Sequence, residues 1–218
     1  MNHERDTKRR KTTLTIQLII IFQVYLNIFL FYSFFAASNI DKGNESIEKL
    51  VCEIQCDRNQ IRLMKCDLSS FDSVRSFAHL YNTEEERLDV LICNAGLGYS
   101  SSEFTEDGFN YVIQVNYIGH FLLTNLLLEK LKKCRPSRII NVSSDLHKSS
   151  LYLARVKINL IDVILYGLGV KFLDWSNILT QHQHSRFLGT YGYSKLFQIL
   201  STYKLKQSLF GKASSLQY

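Results

Sequence analysis

Two short apolar runs, Leu88 to Cys93 and Arg138 to Val142, flank a long helical stretch from Thr105 to Lys133. Each run has the profile of a strand buried on both faces, and Leu88 to Cys93 ends in a turn at Asn94-Ala95-Gly96. Strand, helix, strand argues for parallel pairing, because parallel neighbours need a long crossover. The surrounding chain continues the alternation. Ile47, Leu50, Val51 and Ile54 recur at helical spacing behind Asn44, a residue suited to an N-cap. Gln60 to Cys66 reads as a strand, Phe71, Val74, Phe77, Ala78 and Tyr81 mark a helix, and Tyr193 to Phe210 reads as a last one. The order α, β, α, β, α, β, α predicts an α/β fold built on a doubly wound parallel sheet.

Upstream lies a different kind of segment. No charge occurs between Lys11 and Asp41, and Leu14 to Ala37 is mostly Leu, Ile, Phe, Val and Tyr. About 20 apolar residues suffice to cross a bilayer, so this stretch is expected to be an apolar N-terminal helix that anchors the chain in a membrane. The basic run Lys8-Arg9-Arg10-Lys11 before it accounts for part of the +6 net charge and would face the cytosol. No basic motif suggests nucleic acid. The five cysteines lack CxxC spacing and are expected as reduced thiols, while His182 and His184 read as a solvated loop and no metal site is expected.

Ligands gather at strand ends in such sheets, which singles out Asp67, Asn94-Ala95-Gly96 and Ser143-Ser144. Each alone also suits ordinary capping or turn chemistry. Tyr191 and Lys195 lie four positions apart, so one helix face carries both. An ammonium beside a phenol stabilises the phenolate, and such a phenol can exchange a proton with an alcohol or carbonyl. Any helix can contain this pair, so the spacing gains meaning only with the other motifs.

Taken in order, Asn94-Ala95-Gly96, Val115-Asn116-Tyr-Ile-Gly119-His-Phe-Leu-Leu-Thr, Asn141-Val-Ser-Ser144 and Tyr191-Gly-Tyr-Ser-Lys195 resemble the successive motifs of the short-chain dehydrogenase/reductase family. The branch with retinol dehydrogenases and WW-domain oxidoreductases is the most similar. The resemblance implies an incomplete Rossmann-like sheet, NAD or NADP as cofactor, and hydride transfer to or from a lipophilic alcohol or carbonyl of retinoid or steroid type. It implies that Tyr191 exchanges the proton, Ser144 hydrogen-bonds the substrate oxygen, Lys195 binds the nicotinamide ribose and favours the tyrosine's phenolate, and Asn116 holds a water. Asp67 would contact adenine, and Asn94, Ala95 and Gly96 would line the cofactor cleft. A homodimer and a membrane location, in the endoplasmic reticulum or another endomembrane, complete the expectation.

The sequence departs from that pattern in three places. A TGxxxGxG turn is missing, since Gly43 is the only glycine upstream of Gly96. Glycines there let the backbone approach a pyrophosphate, so the phosphate cradle is absent. Ser144 and Tyr191 are separated by more chain than the family usually shows, and Leu151 to Gly169 behaves as an inserted block, explained by a retained non-coding segment or gene-model error, or by a true substrate-side or membrane-contact insertion. The chain also stops at Tyr218, before the family's final strands. The expected organisation is a basic flank and anchor over 1–38 and a partial dehydrogenase domain over 39–218, with the insertion at 151–169. Efficient turnover is not expected of these residues, and the alternative is an inactive truncated isoform or incomplete gene model acting through protein interaction.

Overall fold

The computed structural model describes residues 19–24, 31–98, 104–148 and 188–210. Its elements are β1 (Ile19–Val24), β2 (Phe31–Ala37), α1 (Ile40–Ile54), β3 (Ile61–Lys65), α2 (Phe71–Glu84), β4 (Val90–Cys93), α3 (Tyr111–Lys133), β5 (Arg138–Asn141) and α4 (Leu188–Phe210). From Asn39 onward, helices and strands follow in the expected order. Three helix starts moved, and the last helix begins at Leu188 rather than Tyr193. The first helix begins five residues earlier than its Asn44 cap implied, because Asn39 is the cap and its Oδ1 accepts from Lys42 N at 2.9 Å. The Thr105 stretch starts as a turn, with Gly108 at φ 82°, and helix begins only after Asn110 caps Ile113 N.

The five strands form one sheet in the order β3-β2-β1-β4-β5. Strands β2 and β3 pair in parallel, as do β4 and β5. Alternate residues then point to opposite faces. Phe34, Ala36, Met64, Leu91 and Cys93 join Val74, Phe77 and Tyr81 of α2 and Leu123, Leu127 and Leu131 of α3 in the larger core, against which Ile139 packs. On the other face, Phe35 and Ile61 meet Ile47 of α1.

The expected apolar N-terminal helix is corrected. Within Leu14 to Ala37 the described residues are two strands, and Phe34 to Ala37 are buried at the heart of the fold. The Phe34 ring meets Tyr81 edge-on at 5.3 Å, and burying such a side chain contributes roughly 1.5–3 kcal/mol. The sheet is also not wholly parallel: β1 runs antiparallel to both neighbours, with Ile20 opposite Phe35 and Ile92. Its direction follows from chain length, because only residues 25–30 join β1 to β2 and a parallel crossover needs about a dozen or more. Among the described residues, the single helix long and apolar enough to span a membrane is α3, which is a core helix with Leu123 and Leu127 fully buried. The insertion at 151–169, the basic flank, His182 and His184 lie outside the described residues.

Candidate active site

Because β2, β3, β4 and β5 share one direction, their C-terminal ends reach the same edge of the sheet. That edge receives Asp67, Asn94-Ala95-Gly96 and Ser143-Ser144 from three strand exits. Its central position differs. Ile19, the first residue of β1, lies opposite Ala36, so β1 brings its N-terminal end to this edge and leaves Val24 at the far one. No strand exit followed by a glycine turn and helix N-terminus occupies the centre among the described residues.

The turn after β4 is held by Asn116. Leu97 N donates to Asn116 Oδ1 at 2.8 Å and Asn116 Nδ2 donates to Leu97 O at 2.9 Å. Nδ2 also reaches Ser194 Oγ of α4 at 3.0 Å, and Asn116 is fully buried. The residue sits in a π turn, Gln114–Ile118, within α3. Its side chain therefore bonds neither its own helix nor solvent, as a helix-interior Asn otherwise would, but joins the strand exit to the last helix. Gly96 allows a close approach: a Cβ there would stand 3.1 Å from Asn116 Oδ1, a tight contact, and 3.5 Å from Lys195 Nζ.

Lys195 is nearly buried, at 4% exposure, and burial pushes its pKa down from the ordinary lysine value. Nζ donates to Val142 O at 2.9 Å and to Gln198 Oε1 at 3.3 Å. An ammonium has three N–H bonds, so among the described residues these two carbonyl acceptors leave one uncommitted. Nζ lies 5.7 Å from the centroid of the half-buried Tyr191 ring, which places a cation beside the phenol. Ser143 Oγ donates to Lys195 O at 3.0 Å, tying the β5 exit to α4.

Gly96, Asn116, Tyr191 and Lys195 are thus brought together. Ser144 is not in hydrogen-bond contact with them; its Oγ accepts from Leu146 N at 3.3 Å within its own turn. Asp67 likewise bonds locally, accepting from Ser69 N at 2.9 Å and Ser69 Oγ at 2.6 Å, while Asn94 is exposed and Ala95 is buried. Sequence reasoning missed Ser194, Gln198 and His120. The buried His120 has Nε2 2.8 Å from Ala95 O, and burial lowers its pKa to about 4. An Nε2–H donor to that carbonyl leaves Nδ1 without a hydrogen, and Nδ1 has no partner among the described residues. All five cysteines are free; burial pushes Cys66 and Cys93 up to about 12, which makes them inert core thiols at neutral pH.

Comparison with known proteins identifies the family and the fold. The family model of short chain dehydrogenases matches residues 34–154. Human retinol dehydrogenase 11 is 39% identical over 181 residues, 82% of this chain and 48% of that protein. The WW domain-containing oxidoreductase of Gallus gallus is 35% identical over 117 residues, covering 54% of this chain and 28% of that protein. The chain spans about half the length, or less, of these relatives. A Mycobacterium paratuberculosis protein of solved structure superposes with TM-score 0.56 at 28% identity, covering 83% of this chain and 54% of that one. A metagenomic short-chain oxidoreductase solved with NADP has the same fold at TM-score 0.53 and 18% identity, covering 81% and 64%. The match over residues 34–154, on a sheet whose strand exits carry Gly96 against Asn116, shows that the chain belongs to the short-chain dehydrogenase family.

Proposed function

We propose that the chain is an NAD(P)-dependent oxidoreductase that interconverts a lipophilic alcohol and its carbonyl, of retinoid or steroid type. The observation that carries the reading is the Lys195 ammonium 5.7 Å from the Tyr191 ring, on a helix braced against Asn116. In this reading Tyr191 exchanges a proton with the substrate oxygen, and Lys195 stabilises the phenolate left behind. Ser144, at the β5 exit, hydrogen-bonds the same oxygen as charge develops on it. Retinol in the names of similar proteins supports the substrate class.

The two ends of a dinucleotide meet different surroundings. At the nicotinamide-ribose end the fit is good: the open N–H of Lys195 would take a ribose hydroxyl, and Gly96, with Asn94 and Ala95, would leave room for the ring. Asp67 at the β3 exit would meet adenine. When bound, the nicotinamide supplies or accepts the hydride. For the pyrophosphate the described residues offer no cradle, because β1 is reversed and Gly43 packs within α1 against Leu63 instead. Slow turnover and weak cofactor binding follow.

Membrane association enters through the solubility of the substrate at an endomembrane such as the endoplasmic reticulum, since Phe34 to Ala37 are spent on the core. A homodimer belongs to the same reading.

The reversed β1 favours a second reading, a non-catalytic family product that works through protein contacts. Calorimetric titration of the full chain with NADP and NAD separates the two. Saturable binding weakened by Lys195→Met supports the oxidoreductase, and no detectable binding rejects it for this chain. Transcript sequencing across residues 1–39 and 151–169 then tells whether a longer message restores the glycine turn.

A further inference from the structure

We propose that Gln198 is a positioning residue, whose carboxamide ties the Lys195 ammonium to the main-chain carbonyl of Asn116 and so fixes where the lysine's remaining N–H can point. The tie is an observation on buried atoms; only its use in catalysis rests on the oxidoreductase reading.

Gln198 is 2% exposed, so both ends of its amide must find partners inside the protein. Nε2 donates to Asn116 O at 2.8 Å, and Oε1 accepts from Lys195 Nζ at 3.3 Å. The orientation of the amide is set by these neighbours, because an ammonium can only donate and a carbonyl can only accept. No other side chain of this length offers a neutral acceptor and a donor from one carbon. A glutamate would set a carboxylate oxygen against the Asn116 carbonyl, an asparagine is one methylene short, and a methionine would leave both partners unpaired.

The location matters as much as the bonds. Tyr191, Lys195 and Gln198 occupy positions i, i+4 and i+7 of α4, one continuous stripe. The carbonyl at the far end of the tie belongs to the π turn, where Gly119 N reaches back to Gln114 O. Gln198 therefore connects the stripe that carries the proposed chemistry to the irregular turn that carries Asn116. With Val142 O as the second anchor, Lys195 Nζ is held from two sides and cannot follow another rotamer without breaking both bonds. Of the titratable groups around Nζ, Tyr191 faces it from α4 and His120 of α3 feels its charge; the β5 exit presents the uncharged carbonyl of Val142, and the β4 exit presents Gly96.

The test follows the lysine itself by NMR on the full chain carrying labelled lysine Cε and Nζ, with Lys195→Arg assigning the signal. Gln198→Glu adds a negative charge and is expected to raise the Lys195 titration midpoint by about one pH unit or more, while Gln198→Met removes an acceptor and lowers it. A merely space-filling role moves neither, and unchanged midpoints in both variants overturn the proposal. Should a variant fail to fold, the wild-type spectrum decides: slow solvent exchange of the Gln198 carboxamide protons supports the tie, and exchange as fast as that of exposed glutamines overturns it. Absence of turnover alongside the expected shifts would refute the oxidoreductase reading and leave the tie intact.

Discussion

Asn116 and Leu97, nineteen positions apart, exchange a pair of hydrogen bonds in the manner of two paired strand residues, at 2.8 and 2.9 Å. A side chain thus stands in for backbone at the point where β4 ends and the sheet has no further partner to offer. Removing it leaves a part-buried N–H and C=O unpaired, at roughly 1–3 kcal/mol. Asn116→Ala is expected to destabilise the chain by about that amount, and Asn116→Asp, which loses the donor but keeps the acceptor, to destabilise it as well. Chemical denaturation of the three proteins checks this.

Phe34 separates the sheet from a membrane anchor as the home of the early apolar segment. Large-to-small replacement of a buried Phe costs about 3–5 kcal/mol. Phe34→Ala is expected to lower the stability of the folded domain by that much, because Phe34 packs on Tyr81 within the core. A lipid-facing residue would show almost no effect in the same denaturation curve.

His120 gives stability a pH dependence with a defined sign. Its pKa falls from the ordinary 6.5 to about 4 on folding, because burial penalises the imidazolium and Lys195 adds to the penalty. Between those values the unfolded chain binds more protons, so stability is full above about 6.5 and is lost as pH falls toward 4. The loss is on the order of 3 kcal/mol. His120→Gln removes this contribution, and a comparison of thermal midpoints at pH 7 and pH 4.5 on the two proteins is expected to show a smaller drop in the variant.

Gly119 begins the α turn after the π segment, and a Cβ there would fall 2.6 Å from Leu68 O. A backbone carbonyl cannot swing aside as a side chain can. Gly119→Ala is expected to destabilise by about 1–3 kcal/mol through this clash, measurable as a lower unfolding midpoint.

Legibility in the sequence tracked the range of the forces involved. Among the described residues from Asn39 to Phe210 the elements could be read because apolar period and turn residues are local properties. The Leu14 to Ala37 segment could not, since a long uncharged run suits a membrane helix and a pair of sheet strands equally well; the deciding facts were its pairing with Ile92 and Ile61. The reversal of β1 is written only in the short 25–30 connection, whose meaning depends on knowing that both flanks are strands. In the site, Gly96 was legible as a strand-end turn and Tyr191 and Lys195 as an i, i+4 pair, while Asn116 and the roles of all four came from the resemblance to the family's ordered motifs. Gln198 and His120 were not, because their partners are main-chain carbonyls on other elements, although the i, i+4, i+7 stripe ending at Gln198 was visible in the sequence.

The Tyr191–Lys195 pair is the centre of the account, and steady-state reduction of retinal by NADPH with the full chain tests it most directly. The expected result is slow, saturable turnover that Tyr191→Phe reduces by roughly 10²–10⁴-fold with the circular dichroism spectrum unchanged. Equal rates in the wild type and in a folded Tyr191→Phe variant, or no turnover at all, would contradict it.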